Sequence, residues 1–124
     1  MNAITDITGF GFTGHLLEML EKTEYSAVIT KEKVPVIDAA KQFAKQFVFP
    51  DNTTRNYNAQ SEFISGLIDL DLLLFCDPQT SGGLLFSVNR NHENEMDSFL
   101  NDKNQYFSKI GSIKTGQEKK INFI

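Results

Sequence analysis

The apolar positions of this 124-residue chain change period several times along its length. Leu16, Leu17 and Leu20, with Glu18 and Glu21 opposite them, have helical spacing and predict a helix over residues 15–22 that Thr8 caps. Tyr25 to Thr30 alternates and is β-branched, which predicts a strand. Pro35 then opens an amphipathic helix running through Ala39, Ala40, Phe43, Ala44 and Phe47. From Val48 to Gln60 the residues Pro50, Asp51, Asn52, Asn56 and Asn58 predict a long loop. Two short apolar runs, Asp71 to Cys76 and Leu84 to Val88, read as buried strands on either side of a polar loop. Met96, Phe99 and Leu100 place a helix over residues 92–102, and residues 106–114 and 119–124 read as terminal strands around a Gly116-Gln117 turn. The strands do not alternate strictly with helices. The expected fold is therefore a single α+β domain over residues 1–124, with one mixed sheet covered by helices.

Composition narrows the function classes. With 40% hydrophobic and 23% charged residues the chain reads as a globular protein, and eleven Phe supply large core side chains in the absence of Trp. A net charge of −4 and only two arginines, Arg55 and Arg90, leave no basic footprint and argue against generic nucleic-acid binding. No run approaches the roughly 20 apolar residues of a membrane span, and no basic-then-apolar leader opens the chain. The single Cys76 excludes an internal disulfide framework or a multi-cysteine zinc site, and suits a reducing, cytoplasmic setting. The first chemistry-bearing motif begins at Thr5, which suggests part of a longer protein.

Five of the eight glycines fall in two motifs. In the first, Thr5-Asp6-Ile7-Thr8-Gly9-Phe10-Gly11-Phe12-Thr13-Gly14-His15, Asp6 offers the hard oxygen that Mg²⁺ requires, and equally well caps a turn. Gly9, Gly11 and Gly14 either let backbone N–H groups converge on a phosphate at a helix entrance or let the helix pack tightly. The spacing is neither a P-loop nor a dinucleotide fingerprint, since no Lys-Ser or Lys-Thr follows and no strand of useful length is expected before it. His15 at the helix start either donates to a phosphate or caps, and His92 reads as a surface residue; neither supports zinc. In the second motif, Asp77-Pro78-Gln79-Thr80-Ser81-Gly82-Gly83, hydroxyls and free amides serve an anion or close the loop on itself. No histidine is tied to Ser81 as a base, so a nucleophilic serine is disfavoured, and Cys76 reads as inert packing. In Thr53-Thr54-Arg55-Asn56, Arg55 either clamps an anion or belongs to a solvated loop.

Taken in order with the terminal Ile110-Gly111-Ser112-Ile113, these three strings resemble the C-terminal domain of the selenophosphate synthetases, within the aminoimidazole-ribonucleotide-synthetase-like superfamily. The likeness covers nearly the whole chain. It implies ATP-dependent conversion of selenide and water to selenophosphate, AMP and phosphate, with Mg²⁺ as the cofactor. It further implies that Asp6 is the metal ligand, and that Thr8, Gly9, Gly11, Asn56, Thr80, Ser81 and Gly82 lie at the nucleotide site. The glycine-rich segment with its reactive Cys and Lys, and the remaining metal-binding aspartates, belong in that family to an N-terminal domain that these 124 residues lack. ATP and selenide would be engaged through that domain, the full-length enzyme would be a homodimer, and the present chain would be inactive alone. Two departures are visible: Asp51-Asn52-Thr53 stands where the family has Gly-Gly-Thr, and Phe12-Thr13 replaces a more usual apolar pair. The rival readings are a non-catalytic binding module of the same fold, or another ATP-using member of the superfamily such as a thiamine-phosphate kinase or a hydrogenase maturation factor.

Overall fold

β2 (Ser26–Ile29) is the spine of the molecule, and everything else is arranged about it. The computed structural model describes residues 1–124. β2 pairs antiparallel with β5 (Gly111–Lys114) on one side and parallel with β6 (Ile121–Phe123) on the other; β6 in turn pairs parallel with the short β3 (Ile64–Ser65). This is the mixed sheet expected of an α+β chain. The two terminal strands flank β2, so the Gly116 turn belongs to a connection that passes from one side of β2 to the other and does not close a hairpin.

Period-2 alternation puts Ala27 and Ile29 of β2 and Ile121 and Phe123 of β6 on one face. Against that face lies α1 (Gly11–Leu20), which buries Leu16 and Leu20, and the core closes with Ile64 and Phe75. The Phe75 and Phe123 rings stack with centroids 5.0 Å apart, and Phe12 leans on both. Each fully buried side chain of this size contributes about 1.5–3 kcal/mol. α1 begins four residues earlier than its leucine spacing indicates, because Gly11 to Gly14 form its first turn.

Four local expectations are corrected. The Asp71 to Cys76 run is a helix, α4 (Asp71–Phe75), not a strand: Asp71 accepts the Ile68 N–H at 3.0 Å and so organises the turn that starts it. The Val48 to Gln60 segment is not a long loop, since it contains α3 (Asn52–Gln60). The helix that follows Pro35 is shorter than its apolar pattern, α2 (Asp38–Lys45), and buries only Ala44. It ends where Phe47 takes a left-handed φ of 56° and the Phe47 and Val48 N–H groups cap the carbonyls of Ala44 and Phe43. Finally, a strand β1 (Ala3–Asp6) precedes the first glycine motif and pairs antiparallel with β4 (Leu84–Ser87) as a separate two-stranded ribbon. β4 is consequently half-buried, with Leu84 exposed, and is not a core strand.

α5 (Glu93–Asp102) lies where its apolar spacing places it, with Met96 and Leu100 half-buried, but Phe99 of the same expected face is exposed. Lys109 bridges its Glu93 and Asp97 carboxylates at 2.7 and 2.5 Å. No helix is long and apolar enough to cross a membrane.

Candidate functional site

The β1–β4 ribbon brings the two glycine motifs together at one end. Beyond the last paired residues, Asp6 and Leu84, the Ile7 N–H donates to Gly83 O and the Gly82 N–H to Ile7 O, each at 2.9 Å. The Gln79 N–H then donates to Thr8 O at 3.0 Å, a carbonyl that also accepts the Gly11 N–H at 3.0 Å. Two loops that are far apart in sequence are thus laced into one surface by backbone hydrogen bonds.

On that surface Asp6 is exposed, and its carboxylate has no hydrogen-bond or ion-pair partner. Gly9, Thr80, Ser81 and Gly82 are exposed near it in the same two loops, and a side-chain carbon at Gly9 would meet nothing within 4 Å. Thr8 does not cap α1, whose first residue is preceded by an uncapped Phe10. Its hydroxyl lies 3.0 Å from Nε2 of His15, while Nδ1 of His15 lies 2.8 Å from Glu18 Oε2. An ionised carboxylate only accepts, so the ring proton belongs on Nδ1, and Nε2 of the neutral ring accepts from Thr8. His15 sits inside α1 rather than at its start, 7% exposed, and tethers the first loop to the helix.

The other glycines differ in what they do. Gly11 has φ 74°, and a Cβ there would lie 2.8 Å from the Cys76 carbonyl carbon and 2.9 Å from Asp77 O. A Cβ on Gly14 would strike Phe10 and Gln60, and one on Gly82 would strike Ile7. At these three positions the absence of a side chain lets chain segments approach closely. Of the five glycines in the two motifs, Gly9 and Gly83 alone border open space.

Behind the loops lies a buried polar layer that the sequence pattern did not reveal. Asn56 Nδ2 donates to Gly9 O at 2.9 Å and to Cys76 O at 3.0 Å, and Gln60 Nε2 donates to Phe10 O at 3.1 Å. The Thr13 hydroxyl lies 2.5 Å from Gln60 Oε1, 3.1 Å from Phe75 O and 3.3 Å from Cys76 Sγ. Having one proton, it donates to one acceptor at a time, and Gln60 Oε1 is the nearest of the three. Thr13 is therefore satisfied, and no buried side-chain polar atom lacks a partner. Cys76 is fully buried, and that burial pushes its thiol pKa up against the smaller opposing effect of the Thr13 contact. Asp77 is also raised, by desolvation above all, although Gln79 Nε2 at 2.8 Å and a long contact from the Thr53 hydroxyl at 3.5 Å favour its ionised form. Arg55 projects from the opposite, exposed side of α3 and makes no ion pair. Nowhere are three His, Cys, Asp or Glu side chains gathered as a metal cluster.

The chain is thus an α+β domain whose two glycine loops meet at the end of a ribbon. Residues 1–124 match AIR synthase related protein, C-terminal domain, and the chain belongs to that family. Among curated relatives it is 39% identical over 115 residues to a protein of Shewanella sp. (strain MR-4) named selenide, water dikinase, covering 93% of this chain and 33% of that protein. A protein of the same name from Haemophilus influenzae (strain 86-028NP) is 34% identical over 121 residues, covering 98% of this chain and 35% of the relative. The chain thus spans about a third of the length of the relatives it matches. Among solved structures, the thiamine-monophosphate kinase of Stenotrophomonas maltophilia K279a superposes with a TM-score of 0.61 at 13% identity, covering 98% of this chain and 30% of that one. At that identity the likeness establishes the fold alone.

Proposed function

We propose that this chain is the C-terminal domain of a selenide, water dikinase, the enzyme that takes ATP, selenide and water to selenophosphate, AMP and phosphate. The observation that carries the reading is the unpartnered Asp6 carboxylate at the junction of the two laced glycine loops. An exposed carboxylate with no partner in the chain is free to serve a group from outside it. Mg²⁺ takes oxygen ligands, keeps several waters, and is usually bound through one or two carboxylates together with substrate phosphates. Asp6 fits as one such ligand, and further protein ligands would come from the part of the relatives' length that this chain does not span. The bound cation would neutralise polyphosphate charge.

The chain's own residues would do the positioning. Thr8, Gly9, Thr80, Ser81 and Gly82 would present hydroxyls and amides to the nucleotide phosphates, with His15 fixing the Thr8 hydroxyl through Nε2. Gly11 and Asn56 would act from behind, by letting the loops approach and by holding their carbonyls. Selenide and ATP would be engaged jointly with the N-terminal domain, in a cytoplasmic homodimer, and this chain alone would not turn over. In a polypeptide of the relatives' full length carrying this chain, Asp6→Asn should abolish AMP formation from Mg-ATP and selenide. Full dikinase activity in that variant would refute the role of Asp6, and ADP in place of AMP as product would point to another ATP-using activity.

A further inference from the structure

A helix in a globular protein normally buries an apolar stripe. α3 does not: its three buried residues are Thr53, Asn56 and Gln60, spaced three and four apart on one face. Each grips one of the two glycine loops or the chain beside it. Thr53 reaches the Asp77 carboxylate, Asn56 donates one N–H to Gly9 O and the other to Cys76 O, and Gln60 donates to Phe10 O while accepting from Thr13. A single side-chain nitrogen that serves both loops needs two N–H groups, which Asn has and Asp, Ser or Thr lack. Every grip comes from the interior, and the outer side of Gly9 stays open.

We propose that α3 is a positioning element: through Thr53, Asn56 and Gln60 it sets the separation and tilt of the two glycine loops, and Asn56 is the positioning residue that couples them. This deepens the nucleotide-site reading above, since the loops it fixes are those assigned to the phosphates. Asn56 thereby acts through the Gly9 and Cys76 carbonyls and has no need to touch a ligand.

The test is amide exchange on the full 124-residue chain. Gly11, Gln79 and Gly82 N–H groups report the lacing of the loops, and Ala27 and Ile124 N–H groups, bonded to Lys120 O and Ile29 O, report the core. Asn56→Ala should lower protection at least about tenfold at Gln79 and Gly82 and under about twofold at Ala27 and Ile124. Asn56→Asp should show the same local loss at neutral pH and recover part of it on acidification, because a protonated carboxyl regains one O–H donor where Ala regains none. Gln60→Met, which keeps the length of the side chain and removes its donor, should loosen Gly11 and keeps the test open if Asn56→Ala does not fold. A uniform loss at loop and core amides, or no loss at either, would overturn the proposal. Titration of Mg-ATP into a polypeptide of the relatives' full length carrying this chain, followed at the Thr8, Gly9 and Thr80 amides, judges the nucleotide reading separately: no shift there counts against that reading while the exchange data still decide the role of α3.

Discussion

Replacing Gly11 by alanine tests whether the close approach of α1 to the end of α4 governs stability. Two effects add at this position. The left-handed backbone, φ 74°, costs an L-residue about 1–2 kcal/mol. The new Cβ would also press on the Cys76 carbonyl carbon at 2.8 Å and Asp77 O at 2.9 Å, backbone atoms that cannot swing aside as a side-chain end can. Overpacking of that kind costs about 1–3 kcal/mol, so the total is about 2–5 kcal/mol, a large part of the roughly 5–15 kcal/mol that holds a typical domain. Two controls separate the contributions. Gly83→Ala carries the backbone strain alone, with φ 87° and open space around it, and should cost about 1–2 kcal/mol. Gly9→Ala carries neither, and should be neutral or stabilise by up to about 1 kcal/mol. Urea unfolding followed by far-UV circular dichroism gives the ranking directly. With a slope of about 1.5 kcal/mol/M, a 3 kcal/mol loss moves the midpoint by about 2 M. A Gly11→Ala midpoint equal to that of Gly83→Ala would remove the steric contribution, and one equal to the unsubstituted chain would refute the reasoning altogether.

Thr13→Val preserves shape and removes the hydroxyl shared by Gln60, Phe75 and Cys76, so it should destabilise by about 1–3 kcal/mol in the same assay. Because desolvation raises the Asp77 pKa in the folded chain, the native state holds that proton more tightly than the unfolded one. The contribution of Asp77 to stability therefore falls as pH rises from the ordinary carboxylate range through the raised native value, and is flat above it. The stability of Asp77→Asn relative to the unsubstituted chain should accordingly climb as pH rises out of the ordinary carboxylate range through the raised native value in paired urea titrations, and a relative stability that falls over that range would contradict the assignment. Cys76, fully buried with its thiol pKa raised, should react with a disulfide reagent roughly a hundredfold more slowly in the native chain than in urea, and equal rates would place it at the surface.

The parts of the fold legible in the sequence are those whose side chains answer to one local period. α1 and β2 have clean helical or alternating patterns, and both stand close to where those patterns place them. Three elements escaped for different physical reasons. α3 shows no apolar stripe because it is held by hydrogen bonds to backbone carbonyls, and a run of Asn and Thr is indistinguishable from a loop until those carbonyls are in view. The Leu72 to Phe75 run has no polar interruptions from which a period could be read, and its length suits a strand as well as a short helix. β1 exists only through a partner eighty-odd residues away, beyond the reach of any local window. Within the site, the chemistry of Asp6 and of the glycine loops was visible as residue types. What Gly11, Asn56 and Thr13 accomplish was not, since each acts on a segment distant in sequence.

The ribbon also carries an entropic cost. Its strands begin at residues 3 and 84, and closing a chain loop of that order costs on the order of 4 kcal/mol of entropy before its hydrogen bonds offset the loss. The main sheet closes loops at least as long, since β2 pairs with β5 and β6 across even greater separations, but it recovers that cost by burying Ala27, Ile29, Ile121 and Phe123, whereas the ribbon's β1 buries no residue. Asp6 and the two glycine loops thus hang on a ribbon outside the main sheet: a chain that has lost this outer layer still has a core, and no longer has the junction at which the two loops meet.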